Sequence, residues 1–326
     1  MRRLKWFLFE KCRNISRIVI GIIMPVLFIS QTGLTAEITS NDVFATVELT
    51  DRTLEILIKA RAIEKIEEIK IIEQGLKAMH VYQMLVAVTD MMIELEKKEN
   101  IRPMPKIVAT PTEYIPEDVK IVADILLNET HRVLYTLKIY DYPQYNDSFS
   151  DKTPTDVFEK ILSIFAKLNI LAGKENISPT ETFQQMTRGV SDVKSILSHI
   201  DPAQRFRIDG PVSPKGLTPT DVFRKCLQIR KEINLLREHF KMEVIPVPEI
   251  DENQQFQPRD VFIQTQIIIA ELNLLKMRTG TMSSTPLPIP VPEKVPSDVH
   301  QQAAMIEYLL KQVIPLQKMV NDMKKP

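Results

Sequence analysis

The sequence predicts an all-α chain: repeated units of about 38 residues, each a helix followed by a proline-rich extended connector, packed as an elongated helical bundle. Three observations carry this. A proline followed two residues on by an acid recurs six times, in Pro116-Glu117-Asp118, Pro154-Thr155-Asp156, Pro179-Thr180-Glu181, Pro219-Thr220-Asp221, Pro258-Arg259-Asp260 and Pro296-Ser297-Asp298. The acid-to-acid spacings are 38, 25, 40, 39 and 38. Behind the acids, apolar residues recur at steps of four and three, as in Val157, Ile161, Ile164, Leu168 and Leu171, or Val222, Cys226, Ile229, Ile233 and Leu236, which lie along one helix face. Between the stripes lie proline-rich stretches at 102–114, 140–152, 244–257 and 281–295, and the whole chain holds only 8 glycines.

Each repeated signal reads as a helix start. In Thr153, Ser178 and Thr218 a hydroxyl precedes the proline and can accept a hydrogen bond from the first turn. Proline suits the first helical position, where its missing N–H is no loss. The acids Asp118, Asp156, Glu181, Asp221, Asp260 and Asp298 then cap the helix and oppose its dipole. Asp is shorter than Glu, which weights the dipole over a return hydrogen bond. These acids are therefore read as structural, with no catalytic or metal role. Two copies without proline, Asp42-Val43-Phe44 and His80-Val81-Tyr82, fit the same register upstream.

The chain begins with a basic segment (Arg2, Arg3, Lys5, Lys11, Arg13, Arg17), an apolar run from Ile18 to Ser30 and a small-residue end at Ala36. That order is a signal peptide over 1–36, of the ordinary secretory type rather than twin-arginine or lipoprotein. A retained membrane anchor is the alternative, although Pro25 and Ser30-Gln31-Thr32 shorten the apolar stretch below the ~20 residues a spanning helix needs. Residues 37–100 read as one long helix or a helical hairpin broken near Gly75, with Glu64, Lys65, Glu67, Glu68 and Lys70 on a solvated helix face. Residues 101–326 read as the helical repeat bundle with its connectors.

Connector length bears on helix direction. About ten residues of polyproline II reach as far as a 20-residue helix rises, ~30 Å, so a connector can return the chain to the end where its helix began. Successive helices would then run parallel; an antiparallel bundle with loose loops is the alternative. The step of 25 from Asp156 to Glu181 is too short for a return, which predicts a tight turn at Ala172-Gly173, an antiparallel insertion for the Glu181 helix, and an irregular stretch over 201–216. The alternating segments 244–248 and 286–292 are too aliphatic for solvated linkers and are expected to lie against the bundle.

Composition limits the chemistry. The chain carries 42 basic and 42 acidic residues, and loss of 1–36 leaves 36 against 41, a mildly acidic protein with no footprint for nucleic acid. Cys226 is then the one thiol, expected in the core, and export without disulfides suits a bacterial periplasm or cell exterior. Asn128, Asn146 and Asn176 would be glycan acceptors only on a eukaryotic route. None of His80, His131, His199, His239 and His300 falls in a metal or catalytic motif, and no phosphate loop or nucleophile elbow occurs. No cofactor is expected, and the 14 methionines read as core filling.

One polar pattern remains. Asn169, Asn234 and Asn273 share a position thirteen residues after the acid, each flanked by aliphatic residues. They are expected to bind the backbone of extended connectors, which has no strand to pair with. The sequence thus points to a noncatalytic exported scaffold that binds an envelope or secreted protein, with a small-ligand-binding bundle of the sensory kind as the alternative. Cleavage after Ala36 is the first testable consequence: N-terminal sequencing of the exported protein should begin at Glu37, and loss of Trp6, the only tryptophan, should leave it without tryptophan fluorescence. Recovery of an intact chain starting at Met1 would refute it.

Overall fold

Eight helices start in one way. In α1 (Ser40–Ala60), α2 (Ala78–Lys98), α3 (Pro116–Thr136), α4 (Pro154–Leu171), α5 (Pro179–Ile200), α6 (Pro219–His239), α7 (Pro258–Arg278) and α8 (Pro296–Leu310), the third residue turns its side chain back. It accepts the amide N–H just ahead of the helix at 2.7–3.0 Å. Asp therefore does make the return bond, in six of the eight cases, because its short side chain already sits beside that amide. The N-cap hydroxyls of Thr153, Ser178 and Thr218 accept the third amide in turn. A ninth helix, α9 (Val313–Met323), follows α8 directly.

Helix ends repeat as well. Ala62, Asn100, Lys138, Gly173, Lys241 and Gly280, each two residues past a helix, take φ between 52° and 84°. The next amide then bonds back across the last turn, as Ile63 does to the Ile58 carbonyl at 3.2 Å and Met242 to that of Arg237 at 2.8 Å. Four of the six positions are not glycine and bear the cost of the left-handed conformation to close the turn.

The structure is a computed structural model that describes residues 37–323 apart from 65, 144–146 and 175. The predicted signal segment 1–36 and Asn146 lie outside the described residues. The described residues from Ile38 onward make up one compact unit. Within it α1 and α2 each pack on both α3 and α4, and α5 and α6 each pack on both α7 and α8. Two four-helix bundles result, with α9 against α5 and α6, and α2 against α7 across the junction. The first bundle buries the stripe Val157, Ile161, Ile164, Leu168 and Leu171, the second Val222, Cys226, Ile229, Ile233 and Leu236. Burial pushes the Cys226 thiol up to about 12, so it is an inert core residue.

Within each bundle all four helices are parallel. Pro179, Pro219, Pro258 and Pro296 line one small cavity, so α5 to α8 all begin at the same end. In the first bundle Asn41 meets Lys152 near the helix starts, Asp51 meets Ser163 midway, and Lys98 meets the Leu171 carbonyl at the ends. Across the junction the numbering runs oppositely, with His80 beside Glu271 and Gln83 beside Gln266. The turn at 172–178 thus reverses a whole bundle. The expected antiparallel insertion is corrected: α5 runs with α6, α7 and α8, because the short turn ends one set of parallel helices and begins another.

The connectors 61–77, 99–115, 137–153, 201–218, 240–257 and 279–295 each carry the chain back along a helix of about 31 Å. Two further expectations change here. Residues 37–100 form neither one helix nor a hairpin, since α1 and α2 occupy opposite corners of their bundle and 61–77 is a connector. Glu64, Glu67, Glu68 and Lys70 consequently lie on an extended segment whose Ile63, Ile66, Ile69 and Ile71 pack on the core. Packing overrides their helix propensity. The stretch over 201–216 is irregular as expected and, as part of 201–218, also serves as a return connector of the common length.

What aligns the starts is the middle residue of the Pro-Thr-Asp signal. Thr155 of α4 accepts the Leu76 amide, Thr180 of α5 that of Lys294, Thr220 of α6 that of Phe256 and Ser297 of α8 that of Leu217, at 2.9–3.3 Å. Asn41 of α1 does the same for Lys152 at 2.8 Å. Each accepted amide lies just before the next helix start, so every such bond pins an incoming connector to the head of a neighbouring helix. Thr220→Val should remove one pin and leave a part-buried amide unmatched, costing about 1 kcal/mol in chemical denaturation. An unchanged midpoint would refute the role.

Candidate functional site: the polar seam between the bundles

A line of buried polar residues runs along the junction of α2 and α7, where an aliphatic interface would be the simpler solution. At its centre Glu271 of α7 lies 3.5 Å from His80 Nε2 of α2 and 3.5 Å from Arg230 Nε of α6. Arg230 Nη1 donates to Glu73 of the first connector at 2.7 Å, and Gln264 Nε2 donates to the same carboxylate at 2.5 Å. Arg237 donates to the Glu243 carbonyl at 3.0 Å. His80, Arg230, Arg237, Glu271 and Glu73 are all buried. The seam therefore ties three helices and two connectors from both bundles into one network.

Its electrostatics follow from burial and pairing. Burial pushes the Glu271 carboxyl up, but Arg230, His80 and Arg237 outweigh that and hold it below its usual range. Burial pulls the Arg230 guanidinium down, and Glu271 with Glu73 more than restores it. His80 is kept neutral: burial lowers its pKa more than Glu271 raises it. Its Nδ1 accepts the Lys77 amide at 2.9 Å, in the capping role that acids fill in the other repeats. An acid there would face Glu271 in a dry site, a pair of carboxylates that could not both ionise. Histidine keeps the cap without the charge.

Further along the junction a groove of about 360 Å³ opens between α2 and α5, over α7. Gln83 and Gln266 meet beneath it, Gln83 Nε2 donating to Gln266 Oε1 at 2.9 Å. Asp90 and Arg188 line its sides. Burial pushes Asp90 up, against the Lys106 ammonium 3.1 Å away. Burial pulls Arg188 down, against Asp90 and Asp192.

The residues singled out by sequence fall into place unequally. Asn234 grips one connector residue on both sides, its Nδ2 donating to the Ile245 carbonyl at 2.7 Å and its Oδ1 accepting the Ile245 amide at 3.1 Å. Asn273 is buried and accepts Lys276 Nζ and the Thr285 hydroxyl, so it reaches a connector through a side chain and not the backbone. Asn169 is buried, but its Oδ1 has no partner. The reason is topological: α4 leads into the short turn 172–178 and so lacks the returning connector of its own that Asn234 and Asn273 contact. The capping acids Asp118, Asp156, Glu181, Asp221, Asp260 and Asp298 all sit at helix heads, outside the seam. Hydrogen bonds from the Thr153 and Thr218 side chains and amides hold Asp156 and Asp221 below the usual carboxylate range.

Sequence reasoning missed Arg230, Arg237, Glu271 and Glu73, whose spacing carries no motif. It also missed Gln312, which grips Arg207 through both backbone groups at 2.8 and 3.0 Å, and Gln301, which accepts the Ser213 amide and donates to the Pro211 carbonyl. The substitution of His80 for an acid in an otherwise acidic register was the available signal. Among the described residues, no three of His, Cys, Asp or Glu gather as a metal site. No protein-family model, curated protein or solved structure matches the chain.

His80 makes the fold pH-sensitive. The unfolded imidazole takes a proton near pH 6.5, whereas the native one resists it, so the contribution is whole above about 6.5 and falls away as the pH drops below that. His80→Asn keeps an acceptor for Lys77 and cannot titrate. Its melting temperature should fall less steeply between pH 7.5 and 5.5 than that of the natural chain, and parallel profiles would rule the effect out.

Proposed function

We propose that this chain is a noncatalytic helical scaffold, exported to the periplasm or cell exterior of a bacterium, that binds a partner protein through its aliphatic-proline connectors. The observation that carries the reading is the posture of segment 286–292. Arg188 Nε donates to the Pro286 carbonyl at 2.6 Å, Gln184 Nε2 to the Ile289 carbonyl at 3.1 Å, and Thr180 accepts the Lys294 amide at 2.9 Å, so the backbone is held to α5. Its side chains nevertheless face outward: Leu287 is 49% and Ile289 71% exposed. The segment lies against the bundle through its backbone, whereas in 244–248 the side chain of Ile245 is itself buried against Met79 and Ala270.

A pinned backbone presenting apolar side chains has little ordering entropy left to lose on binding, which is what a docking segment needs. Proline-rich chains are recognised in this way by aromatic-lined grooves. The scaffold reading is further supported by ionisable groups spent on internal contacts, such as the capping acids and the buried pair Lys276–Asp192 at 2.6 Å. Among the described residues no helix is long and apolar enough to cross a membrane. The small-ligand alternative draws support from one observation, the polar groove beside Gln83 and Gln266.

The double variant Leu287→Ser/Ile289→Ser should melt within about 0.5 kcal/mol of the natural chain, as surface changes do. It should lose cross-linking, in intact cells, to a partner that the otherwise natural chain captures from a cross-linker placed in both proteins at exposed position 290. Equal capture by both proteins would refute the docking role of this segment.

A further inference from the structure

The protein holds extended chain with carboxamides. Asn234 takes the amide and carbonyl of Ile245, Gln312 those of Arg207, and Gln301 the Ser213 amide and Pro211 carbonyl. Each uses one C=O and one NH₂ against an amide and a carbonyl of extended chain, of a single residue for Asn234 and Gln312 and of two residues for Gln301. In the junction groove the same couple stands without a chain in it. Gln83 and Gln266, 2% and 1% exposed, share one hydrogen bond, which leaves Gln83 Oε1 and Gln266 Nε2 without partners. Turning both amides over exchanges their roles and leaves the same pair, one acceptor and one donor, so the arrangement does not depend on amide orientation.

We propose that the groove between α2 and α5 binds a short extended peptide from a partner chain, with Gln83 and Gln266 taking the amide and carbonyl of one of its residues. Asp90 Oδ1 is a third buried atom without a partner, on the same helix as Gln83 and seven residues on. Seven helical residues rise ~10.5 Å, and extended chain covers that in about three residues. A cationic donor three residues from the clasped one, the peptide's own amino terminus, therefore meets Asp90. Met91, Met104 and Phe262 supply apolar wall for the side chains between. Binding matches buried groups that otherwise stay unpaired, and the side chains over them must part to admit it. The proposal rests on the reading of the chain as an interaction scaffold; its groove borders segment 286–292 through Pro288, Gln184 and Arg188, but Leu287 and Ile289 themselves do not line it.

The probe is the synthetic peptide Met-Glu-Val-Ile-Pro-Val-Pro, the sequence of residues 242–248, which places a free amino terminus three residues before the isoleucine that Asn234 clasps. Calorimetry with the exported chain should show saturable binding, and the side-chain amide resonances of Gln83 and Gln266 should shift. Gln83→Leu/Gln266→Leu, with helix content retained, should weaken binding at least about tenfold. Acetylating the peptide should weaken binding to the natural chain and make no difference to Asp90→Asn. No saturation at millimolar peptide, undiminished binding by the glutamine variant, or shifts confined to connector 240–257 would each overturn the proposal. Should the double variant lose its helical signal, Asp90→Asn decides: continued discrimination against the acetylated peptide overturns it. Any of these failures leaves the outcome at Leu287 and Ile289 unaffected.

Discussion

Everything in this fold depends on bringing the chain back to the same end before each new helix. Parallel neighbours cannot be joined by a tight turn, so each of the first three helices of a bundle is followed by a segment that retraces its ~31 Å. The hydroxyls of Thr155, Thr180, Thr220 and Ser297 close that journey by holding the returning chain at the head of a neighbour. Without those bonds the helices would have no common register, since the aliphatic stripes alone tolerate sliding by a turn. Among α1 to α8, the one place where the return is omitted, 172–178, is where direction changes.

Returning chain creates a second demand, because its amides and carbonyls have no ladder. The protein meets it from the helices. Along α5, Thr180, Gln184, Arg188 and Asp192 reach in turn the Lys294 amide, the Ile289 carbonyl, the Pro286 carbonyl and the Thr285 hydroxyl, one contact per helical turn. Along α6, Arg230, Asn234 and Arg237 do the same for Pro246, Ile245 and Glu243. Helix side chains thus take the part that a neighbouring strand plays in a sheet, which is why polar residues stand on faces that would otherwise be aliphatic.

The sequence made some of this legible and hid the rest for physical reasons. Helix starts were readable because proline and a capping acid are local signals, and the stripe from Val157 to Leu171 because burial imposes a period. Helix ends were not, since the left-handed positions are filled by Ala62, Asn100, Lys138 and Lys241 as well as by glycine. The connector 61–77 has no proline and a composition that suits a helix, so only its tertiary setting makes it extended. At the seam, Arg230, Glu271 and Glu73 come together from 73 to 271 in the chain, and no local pattern announces a meeting of that kind. Asn234 was legible because repetition drew attention to it; Asn169 misled because repetition persisted where the connector had gone.

The parallel arrangement also decides how the chain must assemble. In an up-and-down bundle a hairpin forms from the turn outward, through contacts between residues close in sequence. Here the contacts within a bundle join residues roughly a repeat or two apart: 34 for Arg230 with Gln264, 36 for Arg132 with Glu96, 78 for Thr46 with Asp124. The loop must be closed before any such contact rewards it. An all-helical protein is thereby given more distant contacts than an up-and-down bundle would have, and chain closure weighs more heavily on its search for the native state.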